Sequence, residues 1–172
     1  MATKSQGKNE RPQLQLALSQ TDKVIEVLAA AVLILFWIYT LVSYKTLPDV
    51  TPTHFVSDGK ADGYGLKWTI LTLPSIALLL YFGLSILGRY PHKFNYPVEV
   101  TKANAETLYR SGAQMLRVMK LMLIILFFLM TYQTVLSASG ITSFVTRNGL
   151  FLDFALLFIP VFYFLIKMSK NA

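Results

Sequence analysis

Residues 24–44 read VIEVLAAAVLILFWIYTLVSY, a run with a single charged residue, Glu26, close to its start. Its length falls within the roughly 17–25 helical residues that cross a hydrocarbon core of about 30 Å. In lipid the backbone has no water to bond to, so a helix that satisfies its own N–H and C=O groups is the expected form. Working outward, three more runs have the same character: Trp68–Leu87, Leu116–Ala138 and Gly149–Ile166. The expected fold class is therefore all-α, an integral membrane bundle of four transmembrane helices. Composition agrees, with 54% hydrophobic and only 15% charged residues, where a soluble domain carries about 25% charged. The net charge of +7 could suggest nucleic acid, but the basic residues flank the apolar runs, and membrane orientation explains that placement better.

Counting those flanks sets the expected orientation. Twelve of the sixteen Lys and Arg residues fall in the leader, in the connection from Arg89 to Lys120 and in the tail, whereas Lys45, Lys60, Lys67 and Arg147 fall on the other side. The positive-inside rule then places both termini in the cytoplasm. The leader, Met1–Lys23, is long and polar, and no small-x-small site follows the first apolar run, so that run is expected to be a retained span and not a cleaved signal. Two units are expected: residues 1–20 as a flexible cytoplasmic leader, and residues 21–172 as a four-span membrane domain.

Between the first two runs lies Leu47–Lys67, LPDVTPTHFVSDGKADGYGLK, which gathers turn-formers and polar groups in one block. Pro52 holds Thr51 extended, while Asp58-Gly59 and Asp62-Gly63 read as turn dipeptides, with Gly63 expected at positive φ. A compact extracytoplasmic loop, hairpin-like or doubly turned, is expected, with Phe55, Val56 and Tyr64 tucked toward the membrane. On the opposite side, Arg89–Pro97, RYPHKFNYP, is extended and ring-rich. A cytoplasmic amphipathic helix is expected to begin near Thr101 as N-cap and to run into the third span. Ala105, Leu108, Tyr109, Gly112, Leu116 and Met119 share one face of it; Lys102, Glu106, Arg110, Gln114 and Arg117 share another.

The inventory of reactive groups narrows the chemistry. The chain has no cysteine, which removes thiolate metal sites and cysteine nucleophiles. His54 with Asp49, Asp58 or Asp62 is a weak zinc pattern, and the loop lacks the spacing of a calcium hand. No metal or other cofactor is expected. The motifs H-E-x-x-H, G-x-S-x-G and G-x-x-x-x-G-K-[ST] do not occur, and His54 and His92 fall on opposite membrane faces, so no enzyme is expected. Ionisable groups within a span are costly and often functional; Asp153 and Gln133 are the polar residues a transport path would use. Asp153, however, is expected in the first turns of the fourth helix, where the positive dipole end favours a carboxylate. Glu26, beside Lys23, reads as paired or snorkelling at the membrane boundary.

Leu47, Pro48, Pro52, His54, Phe55, Gly59, Asp62, Gly63 and Lys67 together resemble the signature of a bacterial membrane-domain family of uncharacterised function. The same domain forms the N-terminal part of SdpI-type immunity proteins, which protect their producer from its own secreted toxic peptide. The resemblance covers the first two spans and their loop; Val56 stands where the family usually has Asn. It implies a bacterial cytoplasmic membrane protein that recognises a peptide or protein partner at its extracytoplasmic face, for immunity or signalling. The residues expected to contact that partner are His54, Asp62, Tyr64 and Asp153. Other readings are a small transporter subunit and a structural subunit of a membrane complex. The expected surroundings are a lipid bilayer and a peptide or membrane-protein partner, with a homo-oligomer open and nucleic acid excluded.

Overall fold

The computed structural model of the chain describes residues 11–14, 16–56, 60–141 and 144–170, with side chains over the same ranges except 144–153. Helix α1 is Gln20–Tyr44. It begins where Ser19 and Asp22 form a capping box: the Asp22 N–H donates to Ser19 Oγ at 3.1 Å and the Ser19 N–H donates to Asp22 Oδ2 at 2.9 Å. Two free helix-end donors are thereby satisfied. A β-hairpin follows, β1 Val50–Phe55 paired antiparallel with β2 Ala61–Leu66. A 3₁₀ turn, Lys67–Leu71, leads into α2, Thr72–Leu87. After a short 3₁₀ turn at Pro91–Lys93, α3 spans Ala105–Ala138 and α4 spans Phe144–Ser169.

Among the described residues three segments are long and apolar enough to cross a membrane: Gln20–Tyr44, Lys67–Leu87 and Ala105–Ala138. The fourth expected span coincides with α4, whose described apolar stretch, Phe154–Ser169, is shorter. Packing explains why these helices need lipid. Val27, Ile34, Ile38 and Val42 of α1 and Leu79 and Phe82 of α2 are exposed, an apolar girdle that water would not support. The inward faces meet in a core of Ala29, Leu33 and Phe36 from α1, Ala77 from α2, and Leu121 and Ile124 from α3. Phe36 stacks on Phe128 with ring centroids 5.2 Å apart, and the alanines allow close approach of the backbones. Pairs at matching depth show that α1 and α3 run parallel, with α2 antiparallel between their ends. Helix α4 returns along α3, placing Phe164 and Met168 against Ala105, Leu108 and Tyr109. The starts of α1 and α3 thus share one end of the bundle, the leader side, and the hairpin lies at the opposite end, the hairpin side.

The expected amphipathic helix is the start of α3 itself. At 34 residues, α3 is about 51 Å long at 1.5 Å per residue, more than the hydrocarbon needs, so its first turns extend past the core. Its buried residues there are Ala105, Leu108, Tyr109, Ser111, Gly112 and Ala113, while Glu106 and Arg110 pair at 3.0 Å on the exposed side. The cap differs from expectation by one turn. Asn104 is the N-cap, and Thr101 organises the turn before it, its Oγ1 accepting from the Asn104 N–H while Asn104 Oδ1 accepts from the Thr101 N–H.

The ring-rich connection folds back onto this helix. Phe94 and Tyr96 stack at 6.3 Å, and Tyr96 donates its hydroxyl to the Pro91 carbonyl at 2.9 Å. Burial pushes the Tyr96 phenol pKa well above its usual value, Tyr109 nearby adds to the rise, and Arg11 opposes it. Any larger residue beneath these rings would have to displace them: a Cβ at Gly112 would lie 2.8 Å from the Tyr96 hydroxyl and 3.2 Å from Phe94 Cδ2. Arg11, in the leader, donates to the Phe94 carbonyl at 2.6 Å, so the leader from residue 11 lies against the connection.

Candidate functional site

The polar block between the first two spans is the hairpin, and its signature residues build it. Leu47 is buried at the base. Lys67 closes that base, its N–H donating to the Asp49 carbonyl and its ammonium meeting Asp49 Oδ1, both at 2.9 Å. The same ammonium lies 5.5 Å from the centre of the Tyr44 ring. Thr51 and Pro52 are buried, and Pro52 stands opposite Tyr64 in the register. His54 is opposite Gly63, and the register shifts on both sides of His54, as a bulge does when it re-aims a side chain.

Two expectations need correction here. Asp62-Gly63 is not a turn; both residues lie within β2. Gly63 does not adopt positive φ, which among the described glycines occurs at Gly140. The glycine is required by space, because a Cβ at position 63 would lie 2.8 Å from His54 Cβ. Asp58 and Gly59 lie outside the described residues.

Three of the four expected contact residues are brought together. His54 Nδ1 is in hydrogen-bond contact with Asp62 Oδ1, and both side chains remain open, 71% and 47% exposed. In β2 the exposed positions are Asp62, Tyr64 and Leu66, alternating with Ala61, Gly63 and Gly65, so one strand face carries the larger side chains. Tyr64 is 64% exposed. Val50, opposite Leu66, and Trp68 beyond it are also exposed. The Asp153 side chain lies outside the described residues. Among the described residues no three His, Asp or Glu side chains are grouped to hold a metal ion.

A second polar site lies on the leader side, inside the bundle. Lys120 of α3 is 1% exposed. Its ammonium donates to Glu26 Oε2 at 2.6 Å and to Ser85 Oγ at 2.7 Å, and lies 4.6 Å from the centre of the Tyr81 ring. One turn nearer the leader, Arg117 reaches Asp22 Oδ1 at 3.2 Å and Glu26 Oε1 at 3.5 Å. Asp22 therefore caps α1 with one oxygen and holds α3 with the other. The expectation that Glu26 is paired was correct in kind, but its partners are Lys120 and Arg117 on α3, not Lys23. Arg117 and Lys120 read as flank charges in the sequence; the available signal was a lone Glu just inside one apolar run and a Lys just inside another. Beside this cluster a cavity of about 550 Å³ opens toward the leader.

Comparison with known proteins follows the hairpin. Residues 31–78 match the family described as "Domain of unknown function (DUF1648)", a segment covering much of α1, the hairpin and the start of α2. An uncharacterized protein of Archaeoglobus fulgidus is 31% identical over 88 residues, 46% of this chain and 48% of that protein. The chain thus spans about half the length of this curated relative. No solved structure matches. The matched segment is similar to a domain family whose function is not known.

Proposed function

We propose that this is a four-span membrane protein with both termini cytoplasmic, whose hairpin recognises a peptide or protein partner outside the cell, in immunity or signalling of the SdpI type. The observation that carries this reading is the exposed face of the hairpin. An ion pair as open as His54–Asp62 contributes only about 0–1 kcal/mol to stability, so the fold has little need of it. Beside it stand the open ring of Tyr64 and the apolar Leu66 and Val50, a polar-and-aromatic mixture typical of contact hot spots. Among the described residues the outer edge of β2 has no third strand. An extended peptide could add there through backbone hydrogen bonds, with side-chain contacts supplying selectivity.

The test is growth of the native host, and of a strain lacking the protein, in the presence of secreted toxic peptides. The parent protein should protect; His54→Ala and Tyr64→Ala should lose protection while membrane insertion and expression stay normal. If the parent changes no peptide sensitivity, the reading fails. A second reading, a transporter subunit, is favoured by the buried Lys120 and its half-buried partner Glu26, since ionisable groups inside a span are often functional. Under that reading Glu26→Gln or Asp153→Asn is the damaging change and the hairpin variants are mild. Co-purification of a stable membrane complex, with both sets of variants mild, would favour the structural-subunit alternative.

A further inference from the structure

The leader-side cavity is built for a ligand with two characters. One wall is apolar, from Leu14, Leu16 and Leu18 of the leader and Leu84 of α2; its polar lining includes Arg89, Arg110 and Arg117 with Asp22 and Glu26. The ion pairs show which charges remain available. Asp22 and Glu26 are matched within the protein by Arg117 and Lys120. Arg110 is engaged by Glu106, an exposed pair along one helix, and donates to the Ala17 carbonyl at 3.4 Å. Arg89 has no ion-pair partner among the described residues. The uncommitted charge facing the cavity is therefore cationic and carried by the Arg89 guanidinium, whose forked donors suit phosphate oxygens.

We propose that this cavity binds a phosphate group presented by an anionic membrane phospholipid. Arg89 holds the headgroup phosphate, and an acyl chain lies along the leucine wall. Arg110 turns to the phosphate from its exposed pair with Glu106, a kind of pair that contributes little to stability. The position fits, because the cavity lies at the leader-side ends of α1 and α2, where headgroups meet hydrocarbon. A soluble phosphate would use the guanidinium groups but leave the leucines without a role. This site is independent of the hairpin reading and takes a different class of ligand.

The test uses the full chain purified in neutral detergent. Phosphatidylglycerol, phosphatidylcholine or inorganic phosphate is added, and thermal unfolding and lipid retention by native mass spectrometry are followed. Phosphatidylglycerol should bind and raise the unfolding temperature, and phosphatidylcholine should do neither. Loss of one charge-assisted contact should weaken phosphatidylglycerol binding by roughly tenfold or more, in Arg89→Gln and in Arg110→Gln alike. Arg89→Lys should retain part of the affinity, and Lys45→Gln, at the other end of α1, should match the parent. Arg89 is exposed, so its variants should still fold. Equal binding of the two lipids, or an Arg89→Gln protein that still selects phosphatidylglycerol as the parent does, overturns the site. Inorganic phosphate protecting as well as phosphatidylglycerol overturns the lipid assignment and leaves a soluble anion as the ligand.

Discussion

At Gly63 a missing methyl group decides whether two strands can meet. A Cβ there would sit 2.8 Å from His54 Cβ, inside any tolerable contact, and the neighbouring atom belongs to a strand that cannot simply rotate away. Gly63→Ala should therefore open the hairpin locally and lower the unfolding temperature in detergent, with faster proteolysis between Val50 and Leu66. Gly83→Ala, where nothing lies within 4 Å of the added carbon, serves as the control and should match the parent. The need for glycine at position 63 was legible in the sequence, but its reason was not. A glycine can be demanded by dihedral angle or by space, and the Asp-Gly pair favoured the first reading when the second holds. Lys120 gives the complementary case. Its ammonium is enclosed by Glu26, Ser85 and the Tyr81 ring, so Lys120→Met leaves Glu26 short of its closest partner. Breaking a fully buried pair from one side costs about 3–5 kcal/mol; with Glu26 only partly buried and still near Arg117, the loss should fall below that range. The double variant Lys120→Met with Glu26→Gln should recover much of that loss, as read by denaturant unfolding in micelles. If the double variant is as unstable as the single one, the pair is not what sets the cost.

Among the elements, the connection from Gly88 to Asn104 shows what pattern can and cannot reveal. The periodicity of Ala105, Leu108, Tyr109, Gly112, Leu116 and Met119 marks an inward helical face; the first four are buried, and Leu116 and Met119 are half-buried. What covers that face was not legible, because helical periodicity does not name its partners: Phe94 and Tyr96 fold back from the connection just before it, and Phe164 and Met168 come from far along the chain. The same limit hid the charge cluster. Glu26 and Lys120 are 94 residues apart, and only the parallel packing of α1 with α3 makes them neighbours. Conversely, the hairpin was legible as a compact element because its contacts are local, Asp49 with Lys67 and His54 with Asp62. The Tyr96 ring on Gly112 is the contact to break. Gly112→Val places branched carbons where the Tyr96 hydroxyl stands 2.8 Å from a Cβ, and should lift the connection off α3. Limited proteolysis should then cleave between residues 88 and 104 much faster than in the parent, while Gly83→Ala leaves that rate unchanged. A cleavage rate equal to the parent's would mean that the rings do not depend on the glycine.

For the whole molecule, the proposed orientation has to withstand what the structure does to the charges that suggested it. Arg117 and Lys120 were counted as flank charges, yet both are spent on Asp22 and Glu26 inside the bundle. Setting them aside leaves ten basic residues on the leader side against four on the hairpin side, so the asymmetry persists and the positive-inside argument still stands. The chain is free of cysteine, so single cysteines can report on each side without background. Thr53→Cys on the hairpin and Lys93→Cys in the connection are both exposed positions, which removes burial as a cause of silence. In intact cells an impermeant maleimide should label Thr53→Cys and should reach Lys93→Cys only after the membrane is opened. The reverse pattern would put the hairpin inside the cell and remove the outward recognition surface. It would leave the lipid site chemically intact, because guanidinium groups beside a leucine wall bind a phosphate headgroup from either leaflet. The labelling experiment therefore bears on the hairpin reading alone, and the two proposals can fail separately.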